Sequence, residues 1–190
     1  PLLLDGAPAI LNYYLDTKTD NDQLVAGPSG AGYFFPNPWP DRSFPGFLKQ
    51  TAAYLKNAGM TIPYVLNRID GENVPLSEAK ATAYRDEYKP LGLFLSWEDR
   101  HGVEIVDGKL PVSTIHGIGT VQDGIRVLTE AKAGWDGQSP LFVSLGLLAW
   151  NMDPTDVLEL NGALGPEYEA VLADAYFSLI RQAYGLPAKP

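Results

Sequence analysis

Acidic and aromatic side chains recur just beyond the apolar runs of this chain. After residues 10–15 come Asp16, Asp20 and Asp22, and after residues 62–66 come Asn67, Arg68, Asp70 and Glu72. Trp97, Glu98 and Asp99 follow residues 92–96, His116 follows Ile115, and Trp150, Asn151 and Asp153 follow residues 141–149. Such residues suit general acid–base chemistry, in which one carboxyl is held protonated by desolvation, a second stays ionised, and neighbouring rings bind an apolar ligand face. Glu98 is the leading candidate acid, because an apolar run and Trp97 directly before it disfavour its charged form. Asp70 ranks second, with Glu72 beside it. Taken singly, each carboxylate reads as a solvated loop charge, Asp153 as an N-cap, His116 as a hydrogen-bonded structural histidine and Trp150 as a core-closing ring. Their shared position after strands is the stronger observation.

The stretch 26–40, AGPSGAGYFFPNPWP, sets four aromatic residues between glycines and prolines. Glycine admits backbone conformations and close approaches that other residues resist, proline stiffens the chain, and Tyr33, Phe34, Phe35 and Trp39 would form a platform for a sugar face. The competing reading is a plug that closes one end of a sheet. Gly27, Ser29 and Gly30 partly echo a G-x-S-x-G nucleophile elbow, but Ala31 stands where the last glycine belongs, and no convincing pair of acid and histidine partners follows in order. Neither GxGxxG nor GxxxxGK[ST] can be written through the loop, which removes a phosphate-binding reading.

Gly30, Gly32, Tyr33 and Pro36 fit the pattern GxGYxYP, with Phe35 replacing its second tyrosine. Together with AGPSGAGY and the later PLFVSLGLLAWNMDPTDV, they make most of the chain resemble the carboxy-terminal domain of the GxGYxYP family of putative glycoside hydrolases. The resemblance implies carbohydrate processing. Hydrolysis would require a carboxylate pair about 5 to 10 Å apart across the scissile bond. On this reading Glu98, Asp70 and Glu72 supply the acids, and Tyr33, Trp39, Trp97, His116, Trp150 and Asn151 touch the sugar. Phe35 deletes one hydroxyl that relatives carry. The rival is a non-catalytic carbohydrate-binding or scaffolding domain of a larger secreted protein, which needs stacking rings but no acid pair.

Several elements must position these residues. Apolar runs at 10–15, 23–26, 62–66, 92–97, 111–115 and 141–150 read as strands. Helices are expected from about Phe47 to Ala58 with Leu48, Ala52 and Leu55 on one stripe, and from the N-cap Ser77 to before Pro90, on the outside with a thin Tyr84 and Tyr88 stripe. Another starts at the N-cap Thr120, with Val121, Ile125 and Leu128 at helical spacing, and a short one is capped by Asp153 and stopped by Gly162. Pro166 opens the last, with Tyr168, Val171, Leu172, Ala175 and Leu179 inward. Asp107 and Gly108 between alternating runs predict a β-hairpin over 103–115. Strands alternating with helices imply an α/β fold: a mainly parallel sheet with flanking helices, an incomplete (β/α) barrel-like form carrying that hairpin as an insertion.

Composition bounds the partners. At 190 residues and 45% apolar content one core is the expectation, and a chain beginning at Pro1 without a leader reads as a piece of a larger multidomain protein. A net charge of -9 with only 14 scattered basic residues argues against nucleic acid. The longest apolar run, 141–150, is half the length a bilayer span needs. Without cysteine there are no disulfides and no thiolate sites, and two histidines without metal-ligand spacing leave any metal to carboxylates. No cofactor is expected. The partners expected are a carbohydrate and other domains of the same polypeptide, in a secreted or periplasmic setting.

Overall fold

The structure is a computed structural model that describes residues 3–96 and 102–190. Two short helices, α1 (Leu3–Gly6) and α2 (Pro8–Thr17), lead into an irregular stretch and then α3 (Phe44–Asn57). Strand β1 (Tyr64–Leu66) is followed by a small hairpin, β2 (Arg68–Ile69) and β3 (Glu72–Asn73). Helix α4 (Glu78–Ala83) runs into a π-helical turn at Tyr84–Tyr88, and β4 (Leu93–Ser96) follows. Then come β5 (Val103–Val106), β6 (Leu110–Ile118), α5 (Val121–Ala133), β7 (Ser144–Leu147), α6 (Pro154–Gly162) and α7 (Ala173–Ala183).

Strand β4 pairs in parallel with β1 on one side and β6 on the other. The far side of β6 is shared end to end: its first half pairs antiparallel with β5 and its second half in parallel with β7. A single parallel bridge, Ala26 to Pro63, extends the sheet past β1. The sheet is thus mixed, mostly parallel and open, with no closed barrel among the described residues. The predicted hairpin is present: Asp107 and Gly108 both take positive φ, 49° and 61°, as a tight turn between twisted strands demands.

The alternation of β4 sorts its side chains between two layers. Leu93 and Leu95 pack with Phe44, Leu48, Tyr84, Val65 and Val112 under α3 and α4, while Phe94 faces Tyr176, Phe177 and Ile180 of α7. Full burial of each Leu or Val contributes about 1.5–3 kcal/mol. Gly92 is required where α7 crosses, since any side chain there would collide with the Phe177 ring. A third cluster joins Ile118, Val121, Val127, Met152 and Leu160, seating α5 and α6 beside β7. Thr120 caps α5 by accepting from the Asp123 amide at 3.1 Å, and Asp153 closes a capping box on α6 with Asp156.

Several expectations change, among them the strand at 23–26, which is reduced to the single bridge at Ala26. Residues 10–15 are helical rather than extended, because Pro8 at the first position of α2 starts a helix that takes in the whole run. The last helix begins at Ala173, not Pro166, and its inward face is Tyr176, Phe177, Ile180 and Arg181; Ala175 and Leu179 are exposed. The helix after Ser77 is not peripheral, since Tyr84 is fully buried against Phe44, with ring centroids 5.6 Å apart. In α5, Ile125 stays exposed while Gly124 sits under Leu160.

Candidate functional site

Parallel pairing ends β1, β4, β6 and β7 on one edge of the sheet, and the Ala26 bridge brings the glycine-rich loop to the same edge. The loop is anchored there by side chains. Ser29 Oγ accepts from the Leu66 amide and donates to the Leu66 carbonyl, both at 3.1 Å, and its own carbonyl accepts from the Tyr84 hydroxyl at 2.6 Å. Burial pushes the Tyr84 phenol well above its ordinary range, so it remains a donor. With no exposure and both hydroxyl roles occupied, Ser29 is structural and not a nucleophile. Gly30 has φ 135°, and a methyl group there would lie 2.8 Å from Thr51, whose hydroxyl accepts from the Ala31 amide at 3.2 Å.

The aromatic residues of the loop divide. Phe34 is buried, with ring centroids 4.4 Å from Phe47 and 4.9 Å from Trp39, and Trp39 Nε1 donates to Ser43 Oγ at 3.1 Å. Phe34 and Trp39 plug the core. Tyr33 is 67% exposed, edge-on to Phe35 at 6.0 Å. It lines a cavity of about 490 Å3 together with Gly30, Gly32, Leu11, Met60 and Tyr14.

Beyond β1, the buried Asn67 ties the loop to the next segment: its Oδ1 accepts from the Asn37 amide at 3.0 Å, and its Nδ2 donates to the Val74 and Pro75 carbonyls at 3.1 and 2.9 Å. Asp70 (φ 51°) and Gly71 (φ 89°) turn the β2–β3 hairpin, so Asp70 and Glu72 sit exposed at a hairpin tip rather than inside a cleft. Trp97, Glu98 and Asp99 lie outside the described residues.

His116 lies within β6 opposite Leu145, half-buried, because the strand continues to Ile118 instead of ending at Ile115. Strand β7 likewise stops at Leu147, and the turn after it leaves Trp150 82% exposed. The amide of Asn151 donates to the Leu148 carbonyl at 2.8 Å, and its Nδ2 lies 3.3 Å from where a Cβ on Gly119 would stand, beside the end of β6. Trp150 and Asn151 thus flank the ends of β6 and β7, while Tyr33, Asn67 and the hairpin acids flank the end of β1. Among the described residues no cluster of three His, Cys, Asp or Glu is arranged to hold a metal.

Sequence reasoning missed Tyr14 and Asn37, and saw Tyr84 only as part of a thin helical stripe. Tyr14 was hidden by reading its helix as a strand, and Pro8 was the available signal. A larger cavity, about 540 Å3, opens near residues 140–143 at the entrance to β7 and away from the strand ends. Trp135, Phe142 and Tyr168 line it, with an ion pair of Lys132 and Glu167 at 2.5 Å.

The family model described as "GxGYxYP putative glycoside hydrolase C-terminal domain" matches residues 1–181. The fold is similar to a crystal structure described as a putative hydrolase from Bacteroides thetaiotaomicron, with a TM-score of 0.77 and 20% identity. That likeness covers 96% of this chain and 38% of the other, so the chain spans well under half of that protein's length. No curated protein matches the chain.

Proposed function

We propose a carbohydrate-processing role on one premise: the chain belongs to the GxGYxYP putative glycoside hydrolase C-terminal domain family. The single observation that favours a sugar ligand is the pair of exposed rings at the sheet's carboxyl edge, Tyr33 on the anchored loop and Trp150 on the turn after β7. Large exposed aromatic residues on otherwise well-anchored loops suit stacking on a pyranose face, and the carboxyl ends of parallel strands are where α/β folds bind ligands. In this reading Asn151 and His116 contribute hydrogen bonds, Glu98 donates the proton to the leaving oxygen, and Asp70 or Glu72 serves as its ionised partner. The setting would be secreted or periplasmic, and other domains of the polypeptide would complete the cleft.

One observation favours the non-catalytic alternative: Asp70 and Glu72 are exposed around the turn of the β2–β3 hairpin, away from the cavity lined by Tyr33. Screening the protein against a broad glycan set, for both binding and reducing-end release, decides. Turnover supports hydrolysis, binding without turnover supports the carbohydrate-binding alternative, and the absence of both defeats the reading. Trp150→Ala should weaken any binding without lowering the Tm, because an exposed ring contributes little to the core.

A further inference from the structure

We propose that the cavity between the GxGY loop and α2 is a subsite for a neutral saccharide, held between Tyr14 and Tyr33 and hydrogen-bonded by the loop's backbone amides. The proposal rests on the carbohydrate reading above and assigns it a location and a ligand class.

Four observations converge on it. First, the space of about 490 Å3 lies within the ordinary size of small-molecule sites. Second, two tyrosines from separate elements line it, and they are 51% and 67% exposed, so neither ring is needed to fill the core. Third, among the described residues the amides of Gly30, Gly32 and Tyr33 donate to no protein acceptor, although Gly30 itself is buried. Buried amides are nearly always paired, so an unpaired one beside a cavity points to an acceptor brought by a ligand. Fourth, no Asp, Glu, His, Lys or Arg lines the cavity among the described residues, which makes it a place for binding and not for proton transfer.

The lining also selects the ligand. Apolar walls and tyrosine faces suit the C–H face of a pyranose, and unpaired amides suit its ring and hydroxyl oxygens. With no cation in the lining and a net charge of -9, uronic or sulfated sugars gain no partner and meet a repulsive field. The same loop that anchors to β1 through Ser29 would hold its amides fixed before the sugar arrives, which limits the ordering cost of binding.

The test uses cellohexaose, maltohexaose, xylohexaose and mannohexaose as neutral probes, with polygalacturonate as the charged one. On the unsubstituted protein, titration of a neutral probe should shift the 15N–1H resonances of Gly30, Gly32 and Tyr33. Tyr14→Ala and Tyr33→Ala should each weaken binding roughly five- to tenfold with unchanged Tm, while Tyr14→Phe and Tyr33→Phe keep most of it. Binding that moves none of these amides, ignores both tyrosines and is abolished by Trp150→Ala overturns the subsite and leaves the carbohydrate reading standing. Binding of polygalacturonate alone overturns the neutral class, and no binding or turnover with any glycan defeats both.

Discussion

Asn67 and Asn37 face each other across the end of β1 and share an acceptor: each donates its Nδ2 to the Pro75 carbonyl at 2.9 Å, while Asn67 Oδ1 takes the Asn37 amide at 3.0 Å. Asn37 Oδ1 in turn accepts from the Ser77 amide at 3.0 Å, next to the cap of α4. Two amide side chains therefore knit the aromatic loop, the β2–β3 hairpin and the start of α4 into one block behind the strand end.

Asn67→Ala removes three hydrogen bonds and leaves the Asn37 amide and the Val74 carbonyl without these partners in a part-buried site. Each orphaned buried group costs about 1–3 kcal/mol, so we expect a loss of roughly 2–4 kcal/mol in urea unfolding. Asn67→Asp should be no better, because it keeps the acceptor, deletes both donors and buries a charge. An Asn67→Asp protein as stable as the parent would show that this network does not hold the loop.

Ser29→Ala tests the same block from the loop side. It deletes both hydrogen bonds to Leu66, and a loss of about 1–3 kcal/mol is expected. Because the hydroxyl is buried and occupied, a fluorophosphonate that labels activated serines should leave the native protein unmodified. Labelling at Ser29 would restore the nucleophile reading that its geometry rejects.

The sheet was legible because its strands are short apolar runs bounded by turn residues, and 62–66, 92–97 and 103–115 all contain strands. Caps at Ser77, Thr120 and Asp153 were legible for the same local reason: a short polar side chain immediately precedes a helical pattern. The run ILNYYL was misread because six apolar-rich residues have no period of their own that separates strand from helix, and Pro8 decides between them. Pro166 misled in the opposite direction, since the chain from there to Leu172 packs Tyr168 and Val171 as loop residues before the helix starts. At the candidate site, Tyr33 was found through its motif. Which rings of the loop face inward, and that Tyr14 lines the same cavity, depend on contacts between distant segments that no local pattern encodes.

The helix caps predict how stability responds to acid. Hydrogen bonding from the Thr155 amide holds the Asp153 carboxyl below its ordinary range, the Thr120 hydroxyl does the same for Asp123, and the Thr19 amide for Asp22. Since folding lowers each of these pKa values, their contribution is fully present above the unfolded value and is lost as pH falls through the folded one. The Tm should be flat near neutrality and decline below about pH 4. Asp153→Asn keeps an acceptor for the Thr155 amide but cannot titrate, so its decline should be shallower; an unchanged profile would remove Asp153 from the account.

Glu98 is the acid on which hydrolysis most depends in the proposed mechanism. In sequence it comes two residues after Ser96, the last residue of β4, with Trp97 directly before it. An apolar neighbour raises a carboxyl's pKa, as a proton donor to a glycosidic oxygen requires, and a second, ionised carboxylate must stand within about 10 Å. Glu98→Gln preserves size and much of the hydrogen bonding while removing the titratable proton. It should lower kcat by about 100- to 10,000-fold, with glycan affinity and Tm nearly unchanged. Asp70→Asn and Glu72→Gln, measured in parallel, identify the partner by which one also collapses turnover and removes the acid limb of the pH–rate profile. If Glu98→Gln keeps the parent's rate in a preparation that cleaves glycans, the proton donor is another group, and the exposed hairpin carboxylates or a residue from a neighbouring domain must supply it.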